Sequence, residues 1–190
     1  MTSGRKIGAV DSKTRTQLLD AAEQLIIEEG YPAVTSRRVG RKADVTPQLV
    51  HYYFRTMDDL FVEVFRRRAD AGLARFEESV LASPTLRTIW EFSTQGAILD
   101  VEFTALAHHN KAVRGELARY AERFHQLQLR AITGVLGADS AVPAEVILLG
   151  ITGLSQVIAV EQSLGVEAGH DKALAFIERY LDQLEGRPPG

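Results

Sequence analysis

The stretch Val34–Phe54, VTSRRVGRKADVTPQLVHYYF, leaves the chain few choices of local structure. Thr35 opens a helix, because its side-chain oxygen can accept from an orphan backbone N–H two or three residues on. Val39 and Ala43 follow at a four-residue spacing and give that helix one short apolar face. Asp44 marks a turn. Thr46-Pro47 then restarts a helix with a capping oxygen and a proline whose missing N–H costs nothing at the first helical position. Val50 and Phe54 supply the next apolar pair, so Pro47, Gln48, His51, Tyr52 and Tyr53 are left pointing outward. That is a poor surface for a helix with no partner, and its hydrogen-bonding and aromatic groups suit contact with DNA.

The flanks extend the same grammar. Thr14-Arg15-Thr16-Gln17 has the capping-box spacing, and Leu18, Ala21, Ala22, Leu25 and Ile26 form one helical stripe that Gly30 ends. Tyr31-Pro32 links this helix to the central stretch. After it, Thr56 caps a further helix with Asp58 and Asp59 in the first turn, where the helix dipole favours anions. Leu60, Phe61, Val64 and Phe65 give it an apolar stripe, and it runs past Arg66-Arg67-Arg68 to about Leu81. At 1.5 Å per residue such a helix is long enough to connect a small N-terminal unit to the rest.

The remainder is helical by periodicity and has almost no alternating strand pattern. Ser83-Pro84 opens a helix to about Gln95, and Gly96 allows a break before a stretch ending near His109. Asn110 can cap the next helix, whose stripe runs through Val113, Leu117, Tyr120, Phe124, Leu127, Ala131 and Val135. Residues 137–140 form a loop, Pro143 starts a strongly apolar helix, and a last helix runs from about Asp171 to Glu185 before the tail GRPPG. The expectation is an all-α protein of about nine helices. It has a flexible arm over residues 1–13, a three-helix helix-turn-helix unit over 14–55, and a larger helical domain over 56–190.

Charge is divided along the same line. Residues 1–68 hold 12 Lys or Arg against 9 Asp or Glu, whereas residues 69–190 hold 10 against 16. A basic end on an acidic body keeps phosphate attraction local, although the net charge of −3 conceals it. At 45% hydrophobic and 25% charged residues, disorder is not the default. No apolar run reads as a membrane span, the N-terminus lacks an apolar signal segment, and the absence of cysteine fits a reducing cytoplasm. No nucleophile elbow, P-loop or HExxH motif is present, and Gly150-Ile-Thr-Gly153 lies inside an apolar helix. An all-helical enzyme or a helical scaffold for another protein are the alternatives, and both leave the N-terminal stretch without a purpose.

Residues 14–65 resemble the DNA-binding region of the TetR family of bacterial transcription regulators. The residues that carry the likeness are Glu29-Gly30-Tyr31, the entry Val34-Thr35-Ser36, Val45-Thr46 at the turn, and Val50-His51-Tyr52-Tyr53-Phe54 followed by Asp59-Leu60-Phe61. Three positions depart from the family pattern: Asp44 replaces a usual glycine, His51 a frequent tyrosine and Met57 a frequent lysine. Aspartate tolerates the left-handed conformation that the turn requires.

The resemblance implies a DNA contact in which Thr46, Pro47, Gln48 and His51 face the major groove or its rim, and Ser36, Arg37 and Tyr53 sit on phosphates. Gln48 is the candidate base reader, since its amide can pair bidentately with adenine. Tyr52 is either a DNA contact or a core aromatic. Arg38, Arg41 and Lys42 are either phosphate contacts or a solvated charge run.

One such unit reads too few base pairs for selectivity, so a homodimer on a palindromic operator is expected. The resemblance places the interface on the last two helices, with Gly150, Gly153, Leu154, Val157, Phe176 and Tyr180. Trp90, Phe103 and Phe124 are candidates to line a pocket for a small, largely apolar effector, with Glu102, His109 and Gln128 as polar anchors. His108, His109 and His125 have no metal-ligand spacing, and no cofactor is expected. The function implied is a cytoplasmic, ligand-responsive repressor rather than an enzyme.

Overall fold

A computed structural model describes residues 13–137 and 140–186, with residues 96–99 described by backbone alone. The N-terminal arm up to residue 12, residues 138–139 of the expected loop and residues 187–190 of the tail lie outside the described residues. The elements are α1 (Lys13–Glu29), a 3-10 turn (Tyr31–Ala33), α2 (Ser36–Lys42), α3 (Pro47–Tyr53), α4 (Met57–Ala82), α5 (Leu86–His109), α6 (Lys111–Leu136), α7 (Ala144–Ser163) and α8 (His170–Leu184). Among the described residues there is no strand.

Local chemistry explains most of the boundaries. Thr56 and Asp59 form a reciprocal capping box at the start of α4: the Thr56 N–H donates to the Asp59 carboxylate at 3.0 Å and the Asp59 N–H to Thr56 Oγ1 at 3.1 Å. Asn110 Oδ1 accepts from the N–H groups of Ala112 and Val113, each at 3.0 Å, and so opens α6. Three expectations are corrected. Helix α1 already includes Lys13, so Thr14 lies inside the helix and is not its cap. Helix α5 passes through Gly96 without a break, since one glycine costs a helix interior only about 1 kcal/mol. Helix α7 is, by length and composition, apolar enough to cross a membrane, which the sequence reading denied.

Packing divides the chain into two compact units. The first takes in the chain to Asp70 together with Glu102–Ala118, and the second takes in Ala71–Val101 and the chain from Arg119 onward. Helices α4, α5 and α6 each supply residues to both. By packing, then, the unit that holds the helix–turn–helix extends well past residue 55.

In the first unit Leu18, Ala22, Ile26, Val39, Val50, Phe54, Leu60 and Val64 are buried. Polar clamps fix the elements around them. Arg67 of α4 bonds Asp20 and Glu23 of α1 at 2.6 and 2.8 Å, and Arg15 of α1 bonds Glu63 of α4 at 2.6 Å. The corner between α5 and α6 is held to α4 by Asn110 Nδ2 donating to Asp58 at 2.7 Å and by Arg66 donating to Glu116. Phe103 meets Phe65 edge to face, with centroids 5.0 Å apart.

The second unit is built on Phe76, Leu86, Ile89, Trp90, Ile132, Ile147, Leu148, Ile151, Ile158, Ile177 and Leu181. Arg87 of α5 bonds Glu178 and Asp182 of α8 at 3.0 and 2.8 Å, which holds Arg87 above its ordinary pKa by those hydrogen bonds. Helix α7 buries Ile147, Leu148, Ile151, Ile158 and Ala159 and leaves Val146, Leu149, Leu154, Val157 and Val160 exposed.

Candidate nucleic-acid interface

The two short helices are assembled as the spacing requires. Thr35 caps α2, its Oγ1 accepting from the Arg38 N–H at 3.3 Å. Asp44 adopts φ 56°, the left-handed conformation that the turn needs and that aspartate tolerates. Thr46 occupies the capping position of α3 and Pro47 its first turn, but the Thr46 hydroxyl makes no capping hydrogen bond. That leaves the hydroxyl available to a ligand outside the helix. Val50 and Phe54 are buried beneath α3, and the Arg15 guanidinium lies 5.3 Å from the centroid of the Phe54 ring.

Gly40 was not singled out by sequence reasoning, yet it sets how closely α2 approaches the start of α3. Its carbonyl accepts from the Val45 N–H at 2.8 Å, and a Cβ at Gly40 would lie 2.8 Å from the Val45 carbonyl oxygen. A glycine inside a seven-residue helix was the available signal.

The expected contact residues differ in exposure. Thr46, Gln48, His51 and Tyr52 are exposed, as is Arg37, whereas Ser36, Pro47 and Tyr53 are half-buried. Tyr52 is therefore not a core aromatic; it meets Tyr53 edge to face, with centroids 5.1 Å apart. The basic run of α2 sorts into two pairs. Arg38 bonds Glu29 and Lys42 bonds Glu28 at 2.6 Å, so both are spent on holding α2 to the end of α1. Their hydrogen bond raises the pKa of Arg38 and lowers that of Glu29. Arg37 and Arg41, together with Arg55 just after α3, are exposed and form no ion pair among the described residues. Arg55 also escaped the sequence reading. With no carboxylate on α2 or α3 and only Asp44 between them, this face offers cations, an amide and a hydroxyl to an anionic, hydrogen-bonding partner.

Residues 18–64 match the model of the family described as bacterial regulatory proteins, tetR family. Over nearly its whole length the chain is similar to the HTH-type transcriptional regulator BetI of Rhizobium meliloti (strain 1021), at 27% identity over 190 residues, covering 93% of this chain and 91% of that one. Residues 18–64 therefore form a DNA-binding region of the TetR type. The chain is accordingly a DNA-binding transcriptional regulator. Solved structures share its fold: a TetR-family regulator of Rhodococcus sp. superposes with a TM-score of 0.70 at 20% identity, covering 92% of this chain and 100% of that one. A transcriptional regulator from Saccharomonospora viridis in complex with choline superposes with a TM-score of 0.68 at 19% identity, covering 88% and 97%.

The six candidate effector residues fall in both units. Trp90, Phe124 and Gln128 belong to the second, Trp90 and Gln128 being buried. Glu102, Phe103 and His109 belong to the first. There the Glu102 carboxylate accepts from the Tyr31 N–H at 3.3 Å, Phe103 packs on Phe65, and His109 is exposed at the end of α5. The six candidate interface residues, Gly150, Gly153, Leu154, Val157, Phe176 and Tyr180, are all exposed on α7 and α8.

Proposed function

We propose that this regulator acts as a homodimeric repressor, in the cytoplasm and without catalytic activity, and leaves a palindromic operator when a small, largely apolar effector binds. Thr46, Pro47, Gln48 and His51 face the major groove or its rim, Ser36, Arg37 and Tyr53 hold phosphates, and Tyr52 adds a further DNA contact.

The observation that carries the dimer is the apolar face that α7 and α8 leave uncovered. Leu149 is 67% exposed and Phe176 60%, and Phe176 stacks on Tyr180 at 6.0 Å between centroids. An exposed stripe of this kind is a liability unless another surface covers it. Gly150 and Gly153 have no heavy atom within 4 Å of a hypothetical Cβ, so two such helices could approach closely there. A second copy also supplies the second recognition helix that a palindrome needs. The same face is what makes α7 apolar enough to resemble a membrane span.

Release follows from linkage. An effector that favours the spacing of the two recognition helices unsuited to DNA weakens DNA binding, and DNA weakens effector binding by the same factor. Inverting a 99:1 population takes about 5.5 kcal/mol of differential affinity. The α5–α6 corner supports a route for this coupling, since Asn110 and Glu116 bond α4 within the unit that carries α3. Trp90, Phe124 and Gln128, within the second unit, are proposed to line the effector site.

Selection of duplexes from a random-sequence pool, with sedimentation of the resulting complex, tests this reading. The expected outcome is an inverted repeat bound by two chains. Selected sites without dyad symmetry, or sedimentation of the free protein as monomer at micromolar concentration, would refute it.

A further inference from the structure

Four buried polar side chains lie among the described residues of the second unit: Thr85, Gln128, Ser155 and His170. Three have a close polar partner. Thr85 Oγ1 pairs with Thr88 Oγ1 at 2.9 Å, Ser155 donates to the Thr152 carbonyl at 3.0 Å, and His170 Nε2 meets the Glu161 carboxylate at 2.6 Å, although His170 Nδ1 has no partner among the described residues. Gln128 is the most deeply buried of the four and the most weakly held. It is 1% exposed, and its one hydrogen bond among the described residues is a contact from Nε2 to Ser93 Oγ, long at 3.5 Å. The Ser93 hydroxyl donates to the Ile89 carbonyl at 2.9 Å, so it can only accept from the amide. An amide offers two N–H donors and a carbonyl with two lone pairs, and most of that capacity is unused here. Leaving it unused at this depth is unfavourable, and a bound molecule with a matching group would satisfy it.

The surroundings define what that molecule is. On α6, Tyr120, Phe124 and Gln128 recur every four residues and so share one helix face. Tyr120 stacks on Phe124 with centroids 5.6 Å apart, and Phe92 of α5 lies 5.9 Å from Phe124. Phe92, Ser93, Tyr120 and Phe124 are all only half-buried, so the amide lies behind side chains that reach the surface. No buried carboxylate or buried Lys or Arg occurs among the described residues of this unit to balance a charged ligand.

We infer that Gln128, with Ser93 and the Tyr120–Phe124 stack, forms a binding site for an uncharged, ring-bearing effector that carries one hydroxyl or carbonyl group. This inference rests on the reading of the protein as effector-responsive and names the effector's class.

Equilibrium dialysis of the full-length protein against 2-naphthol, naphthalene and choline tests it, with DNA release by 2-naphthol followed separately. The wild type is expected to hold 2-naphthol more tightly than either of the others. Gln128→Leu is expected to weaken 2-naphthol about tenfold, the effect of one net hydrogen bond, while naphthalene changes little. Ser93→Ala, a smaller change at the same group, is expected to move 2-naphthol in the same direction. Tighter binding of choline, no measurable binding of 2-naphthol, or an affinity for 2-naphthol indifferent to both substitutions would overturn the site. Glutamine-dependent binding that leaves the DNA complex intact would uphold the site and count against its role in release.

Discussion

The Cβ that Gly40 lacks would lie 2.8 Å from the carbonyl oxygen of Val45, closer than real Cβ atoms come to any atom. Since the obstacle is backbone on the far side of the turn, no side-chain rotation relieves it, and α2 and α3 must part. Gly40→Ala is expected to cost about 1–3 kcal/mol, the usual range for overpacking. Thermal unfolding measures this, and operator affinity should fall with it. An unchanged melting temperature would mean that the close approach is dispensable.

The division of α2's cations gives a contrast between neighbours. Arg37→Ala removes an exposed cation and should weaken all DNA about equally, lowering the slope of log Kobs against log salt by about one. Arg38→Ala breaks the bond to Glu29 and should loosen the attachment of α2 to α1 with little change in that slope. Gln48→Ala should instead relax base preference, by about 1–3 kcal/mol at one position of the site. Anisotropy titrations across a salt series, on matched and mismatched duplexes, separate the three.

Acid should undo the α1–α2 attachment. The hydrogen bond from Arg38 holds the Glu29 carboxyl below the ordinary carboxylate range. A depressed carboxylate pKa contributes stability that is present above the unfolded value and lost as pH falls through the folded one. The stability difference between wild type and Glu29→Gln should therefore be seen at neutral pH and shrink below about pH 4.5. Denaturant unfolding at a series of pH values checks it, and a difference that grows in acid would contradict it.

A charge placed on the uncovered face of α7 and α8 should separate the copies. Phe176→Glu changes an exposed side chain, so the fold of one chain should survive. Sedimentation should show half the mass, and affinity for a palindromic site should drop by orders of magnitude as one recognition helix is lost. A dimer that persists would move the interface elsewhere.

What the sequence disclosed follows from the range of the forces involved. Thr35, Asp44, Pro47 and the Val50–Phe54 pair were legible because capping, turn conformation and four-residue packing are decided within a few residues. Gly40 was not, since its requirement arises only when α3 folds back on α2. The pairing of Arg38 and Lys42 with Glu29 and Glu28 was equally hidden, because the partners sit on α1, and the run looked like four equivalent cations. At Gly96 the local preference of one glycine yields to the long helix around it. Glu102 and Gln128 looked alike as polar residues in apolar stripes. The fold gives the first to the Tyr31 backbone and leaves the second with one long hydrogen bond among the described residues.

The most direct measurement is the affinity of the wild-type protein for DNA from upstream of its own gene, followed as salt is raised. A face built on Arg37, Arg41 and Arg55, unpaired among the described residues, predicts that log Kobs falls linearly and steeply with log salt, and less steeply in Arg37→Ala. Binding that ignores salt, or a slope that Arg37→Ala leaves unchanged, would contradict the account.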